Sequence, residues 1–108
     1  MELQSQFDEK ETCHAFLSGE LNIYHAADMK PKLLAALERC TEMELHLADV
    51  SEIDTAGLQL LVLIEQEAAR TGKPLRLNDH SPAVVDIIQL FDLAGYFGDP
   101  VLIQSKTS

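Results

Sequence analysis

No stretch of this sequence approaches the roughly 20 consecutive apolar residues that a bilayer-spanning helix requires. The longest apolar run, Leu60-Leu61-Val62-Leu63-Ile64, is closed at once by Glu65-Gln66-Glu67, which argues against direct membrane insertion. Basic side chains are scarce. Eight Lys and Arg stand against 18 Asp and Glu, a formal charge of −10, and that balance repels phosphate backbones and anionic membrane surfaces, so no nucleic-acid partner is expected. Only two cysteines occur, Cys13 and Cys40. They are too few and too far apart for a disulfide framework and read as small buried hydrophobes. The opening Met1-Glu2-Leu3-Gln4 carries no basic patch ahead of an apolar segment, so no secretory signal is read and a cytoplasmic location is expected.

Other absences bear on chemistry. The glycines at 19, 57, 72, 95 and 98 form neither a dinucleotide fingerprint nor a phosphate-binding loop, so no cofactor is expected. His14, His25, His46 and His80 show no i, i+4 pairing and no clustering with cysteine beyond the adjacent Cys13-His14, so no metal site is expected either. Carboxylates are so numerous that no pair stands out as a general acid and base, and the chain is not read as an enzyme. With no repeat, linker or low-complexity tract, its 108 residues, 46% of them hydrophobic, read as one domain over 1–108.

What is present is alternation of strand and helix periodicity. Leu3, Ser5 and Phe7, then Cys13, Ala15 and Leu17, alternate with polar neighbours on either side of Asp8-Glu9-Lys10-Glu11. This predicts an N-terminal hairpin whose second strand ends at Gly19-Glu20. Met29, Leu33, Ala36, Leu37 and Cys40 then form one helical stripe, and Pro31 is harmless if that helix starts near Asp28 but kinks it if it starts near His25. Met43, Leu45 and Leu47 give a third strand. It leads into a polar loop, Asp49-Val50-Ser51-Glu52-Ile53-Asp54. A second helix over about Thr55–Thr71 is closed by Gly72 and Pro74. Leu75 and Leu77 give a short fourth strand. Ser81-Pro82 opens a third helix with a buried stripe of Val84, Ile87, Ile88 and Phe91, ending at Gly95. Val101-Leu102-Ile103 reads as a last edge strand or the start of a fourth helix, before a fraying tail, Gln104 to Ser108. The order implies an α/β fold, a mixed sheet with helices packed mainly on one side.

The junction at Asp49–Leu58 carries most of the functional information. A chain leaving a strand to start a helix presents unpaired amides and the positive end of the helix dipole, where carboxylates and phosphates are stabilised. Asp54 is placed as the cap with Thr55 and Ala56 in the first turn. A phosphate on Thr55 would be tolerated there and would set about two negative charges beside Asp49, Glu52 and Asp54. The alternative is that Asp54-Thr55 caps a helix and nothing more. Projecting the helix places Gly57, Leu60, Leu61, Ile64 and Ala68 toward the core, with Gln59, Gln66 and Arg70 opposite. Val62 and Leu63 fall near the polar side, either exposed beside Gln59 or covered by another element.

Asp49-x-Ser51-x-x-Asp54-Thr55-Ala56-Gly57-Leu58 resembles the signature loop of the STAS family of anti-sigma-factor antagonists. Gly19-Glu20-Leu21-Asn22-Ile23-Tyr24 is similar to the family's segment before its first helix, and Ser81-Pro82-Ala83-Val84 to the start of its third, so the resemblance covers almost the whole chain. It implies a STAS-type mixed sheet with an N-terminal hairpin strand and three to four helices. It also implies a regulatory protein-interaction module phosphorylated at the start of the second helix by a serine/threonine kinase that is often the anti-sigma factor itself. In sporulation-type members the modified serine directly precedes the glycine. Here that position is Ala56, and the phosphorylation site becomes Thr55, with Ser51 as the alternative. The docking surface implied comprises Tyr24, Asp49, Ser51, Asp54, Thr55, Ala56, Gly57, Gln59, Val62 and Leu63. The Asp-Thr-Ala-Gly version also resembles the small STAS subunit of phospholipid-transport ABC complexes, which binds the ATPase. Some STAS domains bind purine nucleotides, for which these residues give no independent support.

Overall fold

The computed structural model describes residues 1–93. Strand β1 (Glu2–Phe7) pairs antiparallel with β2 (Thr12–Leu21), which pairs parallel with β3 (Glu42–Ile53), which pairs parallel with β4 (Leu75–Asn78). The sheet order β1-β2-β3-β4 is therefore sequence order, with one crossover helix between each parallel pair. These helices are α1 (Ile23–Glu38) and α2 (Thr55–Arg70), and α3 (Pro82–Leu90) follows β4.

Strand periodicity gives the sheet two unlike faces. On one, Cys13, Ala15 and Leu17 of β2 and Met43, Leu45 and Leu47 of β3 are buried beneath the helices, together with Met29 and Leu33 of α1, Leu61 and Ile64 of α2, and Ile88 of α3. Each fully buried Leu, Ile or Met contributes about 1.5–3 kcal/mol relative to exposure. The other face presents His14, Phe16, Glu44 and His46, none of them buried. Cys13 and Cys40 meet in the core as free thiols. Burial pushes both thiols up, Cys40 to about 11, and the Cys40 thiol donates to the Ala36 carbonyl at 3.0 Å.

Several boundaries differ from the sequence reading. Strand β2 continues through Gly19, whose φ of 106° suits glycine, to Leu21. More consequentially, Asp49–Ile53 is strand rather than loop. Phe16 pairs with His46 but Ser18 with Asp49, and Gly19 pairs with Val50 but Glu20 with Glu52. Thus β3 holds one extra residue at each of two places. Such bulges break period-two alternation, which is why the segment reads as irregular. Helix α1 starts at Ile23, close to the His25 alternative, with the Asn22 side chain accepting from the Tyr24 amide; Pro31 consequently lies inside it, where it has no amide to donate to the Ala27 carbonyl. Helix α3 ends at Leu90 rather than Gly95. Asp92 there takes a left-handed φ of 54°, and the Leu93 amide donates back to the Ile88 carbonyl, so an aspartate fills the position usually given to glycine. The expectations for Gly95 and for 101–108 lie outside the described residues.

Candidate functional site

The site is built on Asp54, the last residue before α2. Its backbone is extended, and its Oδ1 accepts from the Gly57 amide at 3.1 Å, the expected N-cap. Its Oδ2 accepts from the Ile23 amide at 2.9 Å, and Ile23 is the first residue of α1. One carboxylate therefore caps both helices. Burial pushes this carboxyl up, but backbone amides of Gly57, Ile23 and Ala56 together outweigh that and hold it below the usual carboxylate range.

For the two helix starts to come this close, Gly57 must be glycine. A Cβ there would meet the Leu21 carbonyl oxygen at 2.2 Å and the Leu21 and Ile53 side chains at 2.9 Å. Gly57 is buried, so its expected exposed place is corrected to an interior one that sets the spacing of the two helix starts.

Two shallow grooves result. The first, about 300 Å³, lies between α1 and α2 and is lined by Ile23, Ala26, Ala27, Lys30, Ala56, Gln59, Leu60 and Leu63. The second, about 340 Å³, lies across α2 and is lined by Thr55, Leu58, Gln59, Val62, Leu63, Gln66, Phe91 and Leu93. Gln59 and Leu63 border both. Val62 and Leu63, left open by the helical projection, are half-buried groove walls. Thr55 is exposed at the rim of the second groove, and Ile23 and Tyr24 at the start of α1 are 66% and 81% exposed.

Other expected residues fall elsewhere. Ser51 is exposed but lines a separate groove with Ala83, Asp86 and Ile87 of α3. Asp49 is exposed on the first bulge, opposite Ser18, and lines neither helix groove. The contribution of α1 was missed in the sequence because no motif joins Ile23, Ala26, Ala27 and Lys30 to α2; only the shared cap does. Acidic groups frame the region. Glu52 sits opposite Glu20 on β2, and the hydrogen bond and charge of that neighbour push its carboxyl up.

A second group of side chains, unclustered in sequence, meets on the open sheet face. His14, Glu44 and His46 bring one ligand atom each within 4.8 Å of one another. The signal is strand register: Glu44 is the cross-strand partner of His14, and His46 lies two residues further along the same face.

Comparison with known proteins places this architecture. A family profile described as "Mlab, STAS domain" matches residues 6–104. The anti-sigma-B factor antagonist of Bacillus subtilis (strain 168) is 30% identical over 79 residues, which span 73% of this chain and 70% of that protein. The unphosphorylated anti-sigma factor antagonist SpoIIAA superposes with a TM-score of 0.72 at 22% identity, covering 87% of this chain and 84% of that one. The phosphorylated form of the Bacillus cell fate determinant SpoIIAA gives 0.69 at 21% identity, over 89% and 87%. An anti-sigma factor antagonist from Mycobacterium paratuberculosis gives 0.73 at 19% identity, over 89% and 81%.

Proposed function

Because this chain belongs to the STAS family, we propose that it is a regulatory docking module whose helix grooves seat a serine/threonine kinase-type protein partner and whose affinity is switched by a phosphoryl group on Thr55. The observation that carries this reading is the position of Thr55: solvent-exposed, first in α2, and on the rim of a groove that shares Gln59 and Leu63 with the α1–α2 groove. A phosphoryl group there adds about two negative charges next to Asp54 and Glu52, on the border of an apolar docking surface. It changes partner affinity through charge and desolvation while leaving the core untouched. The phosphorylated form of the SpoIIAA neighbour is consistent with such a switch. The acidic rim fits a basic partner surface.

The experiment is incubation of wild type and Thr55→Ala with serine/threonine kinases and ATP, read by intact mass. One phosphoryl mass on wild type that is lost in Thr55→Ala supports the switch. Addition at Ser51, or none, removes it.

A second reading is favoured by Ala56, which lines the α1–α2 groove without a hydroxyl: a groove occupied constitutively, as by the ATPase of a phospholipid-type ABC transporter. Under that reading Leu63→Glu abolishes co-purification with the ATPase, whereas Thr55→Ala leaves it intact.

A further inference from the structure

The open face of the sheet carries a polar cluster that docking does not use. His14 on β2 and Glu44 on β3 are register partners, and His46 is the next residue of β3 on that face. Phe16, opposite His46, stacks on its ring at 4.5 Å between centroids and 10° between planes. The side chains of His14, Glu44 and His46 are 27%, 22% and 16% exposed, sheltered but open to an ion.

Counting protons shows what is unusual here. His14 Nε2 lies 3.2 Å from Asp8 Oδ2, and His46 Nδ1 lies 3.0 Å from Asp79 Oδ2. A neutral imidazole has one N–H, and a carboxylate can only accept, so these two outer contacts consume both. The inner atoms are then all lone-pair donors: His14 Nδ1 faces His46 Nε2 at 3.1 Å and Glu44 Oε2 at 3.3 Å. The other oxygen of Glu44 accepts from Asn78 Nδ2 at 3.0 Å, which aims Oε2 inward. With both imidazoles neutral, three lone pairs converge on one point, an arrangement that a proton or a metal ion between them relieves.

We propose that His14 Nδ1, His46 Nε2 and Glu44 Oε2 form a binding site for one divalent transition-metal ion of the zinc class. The spacings fit: bonds of about 2.0–2.1 Å in a tetrahedron set ligand atoms about 3.3–3.4 Å apart, close to the two inner distances. Two imidazoles and a carboxylate suit zinc and leave a fourth position to solvent. Asp8 and Asp79 stand where outer carboxylates fix the tautomer and orientation of metal-bound histidines. Asp8 is itself fixed, its Oδ1 accepting from the Lys10 and Thr12 amides. An ion here links the β1–β2 turn, β2, β3 and the residue after β4.

The test is titration of chelator-treated full-length protein with zinc chloride, followed by calorimetry and by long-range ¹H–¹⁵N spectra of the imidazoles. Expected are one equivalent bound, with shifts at His14 Nδ1 and His46 Nε2 and none at His25. At least a tenfold loss of affinity is expected in His14→Gln and His46→Gln, and a 10–100-fold loss in Asp79→Asn. Wild-type protein that binds no zinc, or whose shifts fall on other nitrogens, overturns the site whether or not the variants fold, as does binding that survives His14→Gln/His46→Gln. Uptake of a proton by the cluster without zinc binding overturns it equally.

Discussion

The two halves of β3 differ in what they do with the same extended backbone. From Glu42 to Leu47 every second side chain is buried, and through His46 the register with β2 holds residue by residue. From Ala48 to Ile53 two extra residues are absorbed as bulges, and the strand ends against Asp54, which joins the starts of α1 and α2. Regularity fills a core and lines up side chains across strands. Irregularity re-aims the chain so that two helix ends meet. The first half supplies stability and the second positions the starts of α1 and α2.

That division predicts a gradient of effects. Leu45→Ala, in the fully buried regular half, is expected to cost the most, about 2–5 kcal/mol, measured by urea unfolding. Gly57→Ala comes next. Its methyl group has to displace the Leu21 carbonyl, an overpacking cost of about 1–3 kcal/mol, and the separation of α1 from α2 should change, visible as amide shifts around Ile23 and Ala27. A Gly57→Ala protein with wild-type stability and wild-type shifts would break the comparison.

Asp54→Ala should cost about 0.5–2 kcal/mol for the uncapped start of α2, while α1 keeps its Asn22 cap and loses only the Ile23 bond. Here pH gives a sharper test. The Asp54 carboxyl is held below its ordinary value in the folded protein, so its contribution is complete above the ordinary aspartate value of about 3.9 and is lost as pH falls through the lower folded value. The gap between wild type and Asp54→Ala should therefore close in acid. Glu52→Gln should have the smallest effect, a slight rise in Tm at neutral pH. Glu20 raises the Glu52 carboxyl, so the folded state binds that proton more tightly, and wild-type stability falls as pH rises from the ordinary glutamate value through the higher folded one. The advantage of the variant should vanish below that window.

Legibility in the sequence followed the same divide. Where periodicity ran unbroken it told the truth: the buried face of α2, its cap at Asp54, its stop at Gly72, and the Ser81-Pro82 start of α3 are all present. Asp49–Ile53 has the look of a loop because a bulge moves the alternation by one residue, and a polar, out-of-phase strand has the composition of a turn. The α1 wall of the groove was hidden because the Asp54–Ile23 contact spans 31 residues. The His14–Glu44–His46 cluster was hidden for a related reason: helical spacing can be seen within one segment, whereas a cross-strand neighbour requires knowing the register of two.

Pro31 has one more effect. Without an amide hydrogen it cannot supply the helical bond to the carbonyl four residues earlier, that of Ala27, and Ala27 belongs to the α1–α2 groove. The helix therefore gives up one internal bond at a residue that also lines the groove. A proline there trades a backbone bond for a fixed φ, so this turn of the groove wall is held by its ring rather than by the helical ladder.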